Sequence, residues 1–179
     1  MLFLSIDVGI RNLAYIVLSV DDETETSTII DWNIMEMCEK DENACKVDNV
    51  KIGIRMKAKM SELLEKFVFD KIIIENQIGP LALRMKMIQG MISQHFIENN
   101  LENIEFINAS NKLKDFLKGK KTTYNERKKL SISITKNILE KKPKLNTWTD
   151  YFNKNSKKDD LADAFLQCLW YINNIINKK

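Results

Sequence analysis

The chain has 179 residues, 44% of them hydrophobic and 30% charged, which is enough for one domain with a real core and too little for two full-sized ones. Five Gly and two Pro leave little material for linkers or low-complexity tails, the apolar content excludes a disordered chain, and no window approaches the roughly 18 apolar residues of a spanning helix. The net charge of +3 hides a division: residues 111–158 hold 15 Lys and Arg against 4 Asp and Glu, and the remainder holds 13 against 21. Such segregation suits a basic surface that meets polyanions and an acid-rich remainder that holds cations, although a solvated lysine face has the same composition.

Leu2 to Asp7 is an apolar run ending in an acid, and 12–20, after Gly9, has the β-branched and aromatic content of a second strand. The pair predicts a hairpin. Beyond the polar tract 21–27, residues 28–37 resume a strand pattern, so three strands form an antiparallel meander. Residues 38–50 read as a polar loop, and Ile52, Met56, Met60, Leu63, Leu64 and Phe67 recur at helical steps, predicting an amphipathic helix over 51–69. KIIIE at 71–75 is a solid apolar run expected of a strand covered on both faces. Gly79 and Pro80 then open a long helix to about Asn99. Residues 103–107 give a fifth strand, and Ser110 or Asn111 caps a short helix to about Leu117. Thr123 with Glu126 resembles a capping box for a helix to about Glu140, and Ser156 or Asp159 starts a last helix to about Ile176. This order predicts one α/β domain over 1–179, with a mixed five-stranded sheet and helices on both faces.

The three cysteines, Cys38, Cys45 and Cys168, are odd in number and lack a C-x-x-C spacing, so reduced thiols of an intracellular protein are expected. The start MLFLSIDVG has no basic flank and carries Asp7, so no secretory leader is expected.

Four carboxylates stand at the ends of elements. Asp7 closes the first strand, Glu75 closes the buried KIII run, and Asp160 and Asp163 lie three apart on the last helix, where they share a face. If the first and fourth strands are neighbours, Asp7 and Glu75 meet at adjacent strand ends, where α/β folds open ligand crevices. Carboxylates gathered there repel unless divalent cations sit between them, and oxygen-only ligands select Mg²⁺ or Mn²⁺. Each acid also has a plainer reading, as turn residue, helix cap or lysine partner. The flanks of Asp163, Ala162 and Ala164 to Leu166, look buried, where an unpaired acid is costly. Gly9 offers a close approach for a metal or phosphate.

The segments SIDVGIRNLAY (5–15), KIIIENQ (71–77) and KKDDLADAFL (157–166), in this order, resemble the RuvC-type Holliday junction resolvases of RNase H-like fold, and among them the poxvirus resolvases. The resemblance implies that Asp7, Glu75, Asp160 and Asp163 form a tetrad holding two Mg²⁺ ions, with Mn²⁺ able to substitute. It implies a structure-selective endonuclease that resolves four-way junctions by paired nicks, leaves 5′-phosphate ends and works in the host cytoplasm. By motif placement Lys114 and Arg127 are the counterparts of basic residues beside the active site of bacterial relatives, with Lys118, Lys120, Lys121 and Lys128 as neighbours. Where those relatives have a base-stacking aromatic, this chain has Ile78. The lone His95, within the long helix, reads as a packed or interface residue rather than a base.

The helix from Pro80 to Asn99 is apolar on more faces than one sheet covers; a deep core helix and a dimer contact both fit, and the resemblance favours a homodimer. The rival readings are an RNase H-like nuclease acting on RNA–DNA hybrids or other branched DNA, and a non-catalytic DNA-binding protein.

Overall fold

The computed structural model describes residues 1–176 except 22, 25, 80, 81, 118 and 120. The first three strands, β1 (Leu2–Asp7), β2 (Asn12–Val20) and β3 (Ser27–Glu36), form the expected antiparallel meander. β4 (Lys71–Asn76) and β5 (Ile104–Asn108) add in parallel beside β1, giving the sheet order β3-β2-β1-β4-β5.

Strand alternation sorts the apolar side chains onto two faces. Leu4, Ile6, Ile72 and Ile74 pack under α1 (Asn49–Lys66) and α2 (Leu83–Glu98). Phe3, Ile73, Ile16 and Leu18 face the other side, covered mainly by α4 (Tyr124–Lys141) and α7 (Lys158–Tyr171), with the short α3 (Lys114–Leu117) nearby. Trp32 anchors this second core: it stacks on Phe152 at 5.3 Å, meets Phe165 at 5.4 Å and donates from Nε1 to the Leu161 carbonyl at 3.1 Å.

Local chemistry accounts for the starts of α1 and α4. Asp48 caps α1 by accepting from the Val50 N–H at 2.7 Å, and the capping box of Thr123 and Glu126 opens α4. The last helix differs from expectation, since neither Ser156 nor Asp159 caps it; Lys157 precedes α7, and Asp159 and Asp160 lie in its first turn. Two further helices, α5 (Pro143–Asn146) and α6 (Thr149–Lys154), occupy a stretch that has no readable period because each spans fewer than two turns. Each inserts one fully buried side chain, Leu145 and Phe152, into the second core. The polar loop before α1 is pinned by arginines: Arg55 pairs with Glu39 and Glu42, and Arg84 reaches Asn49 and the Ala44 and Val47 carbonyls.

Cys38 and Cys168 are buried and Cys45 is exposed, all as free thiols. Among the described residues no helix is long and apolar enough to cross a membrane. Pro80, expected in the first turn of the long helix, lies outside the described residues.

Candidate active site

The same alternation decides which face carries the acids. Phe3, Ser5 and Asp7 of β1 share one side, and Ile73 and Glu75 of β4 share it with them. Because the parallel register sets Ile6 opposite Ile74, Asp7 and Glu75 come level at adjacent strand ends.

Helix α7 is drawn down onto them by a buried polar tie. Ser5 Oγ donates to the Ala164 carbonyl at 2.9 Å, and Gln167 Nε2 donates to Ser5 Oγ at 3.1 Å and to the Ile6 carbonyl at 3.2 Å. Ala162 and Ala164, fully buried, keep the helix close to the sheet. Asp163 and, a turn earlier, Asp160 then project toward the strand ends. Asp7, Glu75, Asp160 and Asp163 line one cavity of about 530 Å³.

A lysine that the sequence reading passes over stands among them. β5 ends at Asn108, whose side chain accepts from Asn76 Nδ2 at 3.1 Å, and a 3₁₀ turn at Ala109–Asn111 brings in Lys112, only 5% exposed. Its Nζ lies 3.0 Å from Asp7 Oδ1, 2.8 Å from Glu75 Oε1 and 2.8 Å from Asp163 Oδ2. The second oxygen of Glu75 accepts from Gln77 Nε2 at 2.6 Å. Lys112 opens the same basic run as Lys114, and the available signal was its place just beyond β5, whose Ile107 is in register with Glu75.

One ammonium does not neutralise this cluster. Burial pushes the Asp7 carboxyl well above its usual range; Lys112 opposes the rise, while Glu75 and Asp163 add to it. Asp160 is raised by burial and by Asp159 and Asp163, with Lys157 and Lys128 pulling the other way. Burial alone would lower Lys112, but Asp7, Asp163 and Glu75 outweigh it and hold the ammonium above its ordinary value.

Among the described residues no group of three or more His, Cys, Asp or Glu side chains is already set around one ion, and the ammonium stands where the carboxylates converge. The donor set nonetheless fits hard divalent cations. It is all oxygen, its excess charge is negative, and three of its oxygens already surround one cation, the Lys112 ammonium, at 2.8–3.0 Å.

Of the cationic candidates, Arg127 and Lys128 on α4 line the cavity. Lys128 Nζ sits 2.5 Å from Asp159 Oδ2 and 5.0 Å from the Tyr124 ring centroid, and Tyr124 itself is 64% exposed at the cavity rim. Lys114 and Lys121 are exposed and outside the cavity wall, and Lys118 and Lys120 lie outside the described residues. Ile78 is exposed, and His95 is buried on α2, beside a second cavity between α1 and α2. At Gly9 a Cβ would stand 1.9 Å from the Asn12 carbonyl oxygen, so the hairpin turn itself excludes a side chain.

Known proteins share this architecture. The structure is similar to the fowlpox virus Holliday junction resolvase, with a TM-score of 0.68, 21% identity and coverage of 98% of this chain and 99% of that one. It is similar to Thermus thermophilus RuvC, with a TM-score of 0.65, 16% identity and coverage of 97% and 96%. It is also similar to the yeast mitochondrial Holliday junction resolvase Ydc2, with a TM-score of 0.66, 19% identity and coverage of 95% and 77%. At these identities the likeness establishes the fold alone, the mixed five-stranded α/β sheet that the three structures share with this chain. An uncharacterized protein of Acanthamoeba polyphaga mimivirus is 28% identical over 139 aligned positions that cover 67% of this chain, which spans only 33% of that relative's length. The model of the Poxvirus A22 protein family matches residues 1–178, and the chain belongs to that family.

Proposed function

We propose that this protein is a divalent-metal-dependent, structure-selective endonuclease that resolves four-way DNA junctions by paired symmetric nicks. Mg²⁺ as the resident ion and the host cytoplasm as the site of action are part of the proposal, the latter supported by membership of a poxvirus family. The observation that carries it is the convergence of Asp7, Glu75 and Asp163 on one point, in a cavity that also contains Asp160 and has Arg127 and Lys128 in its wall. A fowlpox virus resolvase of the same fold, 22% identical, has been solved with its substrate Holliday junction DNA.

Asp7, Glu75, Asp160 and Asp163 would hold the metal, which when bound supplies an activated water for attack on phosphorus and stabilises the departing 3′ oxygen. The chain's own residues do the rest. Before the metal enters, Lys112 holds three carboxylates at a common focus and offsets part of their charge. Arg127 and Lys128 meet the backbone phosphates beside the cavity; such contacts orient the duplex arms without reading sequence, in keeping with recognition by shape.

Two symmetric cuts call for two identical sites related by a twofold axis, and a homodimer is therefore part of the proposal. The α1/α2 face is suited to it: Val50 and Ile54 are exposed around a largely apolar groove whose wall carries both Lys57 and Glu98, charges that a twofold copy can pair.

The test is a synthetic four-way junction labelled on each strand in turn, incubated with Mg²⁺ beside flap, duplex and RNA–DNA hybrid. Paired nicks in opposite strands of the junction are expected, with Asp7→Asn or Glu75→Gln abolishing cleavage while junction binding persists. Cleavage retained by either variant defeats the assignment, and preferential cutting of the hybrid moves the activity to another nuclease of this fold. The non-catalytic alternative draws on Lys112, which already pairs with the acids; it requires that no divalent ion support cleavage of any of these substrates.

A further inference from the structure

We propose that Gln77 is a positioning residue for Glu75 and that Gln89 of α2 locks it in place, so that one carboxylate of the site is oriented from the helix beneath the sheet. The inference rests on the endonuclease reading.

The two oxygens of Glu75 have different partners. Oε1 lies 2.8 Å from Lys112 Nζ, and Oε2 accepts from Gln77 Nε2 at 2.6 Å. One contact leaves a flexible glutamate free to swing about it; two on opposite oxygens leave a single orientation, with Oε1 toward Asp7 and Asp163. Gln77 is held in turn. It follows the last residue of β4, where the ladder to β5 ends at the Asn76–Asn108 pair, and its backbone N–H donates to Gln89 Oε1 at 2.8 Å.

Burial makes this arrangement costly to leave unmade. Gln77 is 7% exposed and Gln89 6%, and Gln89 interrupts an apolar stripe of α2 formed by Ile88, Ile92 and Phe96. A polar side chain at such a position is unfavourable unless its hydrogen bonds are satisfied. An amide also orients Glu75 without cancelling its charge, as Lys or Arg in the same place would. The chain of contacts Gln89, Gln77, Glu75 therefore links α2, part of the face proposed for dimer contact, to the aim of a metal-binding carboxylate.

The discriminating variants are Gln77→Met, which keeps the length and bulk but has no donor, and Gln89→Met, which removes the acceptor without touching a carboxylate. Mn²⁺ is titrated calorimetrically into the full chain without DNA, with junction binding and metal-free melting measured in parallel. Gln77→Met is expected to bind Mn²⁺ about 10–100-fold more weakly, with junction affinity within about twofold of wild type. Gln89→Met is expected to shift metal affinity in the same direction by less, and it decides the matter if Gln77→Met fails to fold. Unchanged Mn²⁺ affinity in the folded variants overturns this proposal alone. A wild-type protein that binds no Mn²⁺ overturns the endonuclease reading and this inference with it.

Discussion

Replacing Lys112 by Met takes one ammonium from among three carboxylates while keeping most of the apolar stem. Three contacts of 2.8–3.0 Å vanish, and Asp7, Glu75 and Asp163, with side chains 15%, 11% and 33% exposed, are left facing one another. Removing one partner of a buried charged pair costs about 3–5 kcal/mol, and a chain of this size melts about 2–4 °C lower per kcal/mol. The partial exposure of Asp163 places the expected loss in the lower half of the resulting range, about 6–12 °C without metal. Its pH dependence has a definite sign. Burial already raises the Asp7 carboxyl well above its usual value, with Lys112 opposing and Glu75 and Asp163 assisting. A carboxyl raised in the folded state contributes stability below its unfolded value, near about 4, and loses it as pH rises through the folded value. Removing Lys112 raises Asp7 further, so the variant's deficit is small near pH 4 and grows toward pH 8. Added Mn²⁺ should recover more stability in the variant than in wild type, because no ammonium competes for the carboxylates. Circular dichroism melts at the two pH values, with chelator or Mn²⁺, read all of this. Equal melting temperatures, or a deficit that shrinks as pH rises, would refute the assignment of Lys112 as the charge that joins the site.

Three further predictions concern the basic segment, Tyr124 and Gly9. Arg127→Ala and Lys121→Ala should each reduce the slope of log junction affinity against log salt by about 0.9 if the side chain contacts one phosphate; an unaltered slope for both routes the DNA elsewhere. If Tyr124, exposed beside Lys128, stacks on a base of the bound junction, Tyr124→Ala should weaken junction binding by about 1–3 kcal/mol and Tyr124→Phe should not. Equal binding by the two variants contradicts stacking. Gly9→Ala forces a Cβ to within 1.9 Å of the Asn12 carbonyl, and the backbone shift should destabilise the chain by about 1–3 kcal/mol in urea titrations; an unchanged midpoint would contradict the turn assignment.

The meander, β4 and the longer helices α1, α2, α4 and α7 were legible because their apolar periods run for several residues. Asp7 and Glu75 were legible for a related reason: each closes an apolar run, and a parallel pairing of those two strands brings such ends together. Asp160 and Asp163 came from helical spacing. Lys112 was not legible as a site residue, because in a run of lysines nothing local separates a buried ammonium from solvated ones; its inward turn depends on the 3₁₀ turn after β5. Gln77 and Gln89 were hidden similarly, since a neutral amide gains meaning only from the partner it meets across the fold. The Asn12 carbonyl that bars a side chain at Gly9 was not legible, because that contact depends on how the hairpin turn closes.

Anomalous diffraction from Mn²⁺-soaked crystals tests the central claim most directly. The account predicts metal peaks ligated by oxygens of Asp7, Glu75, Asp160 and Asp163, with the Lys112 ammonium displaced from their midst. Crystals in saturating Mn²⁺ with no peak at these oxygens, and Lys112 still bridging them, would contradict it.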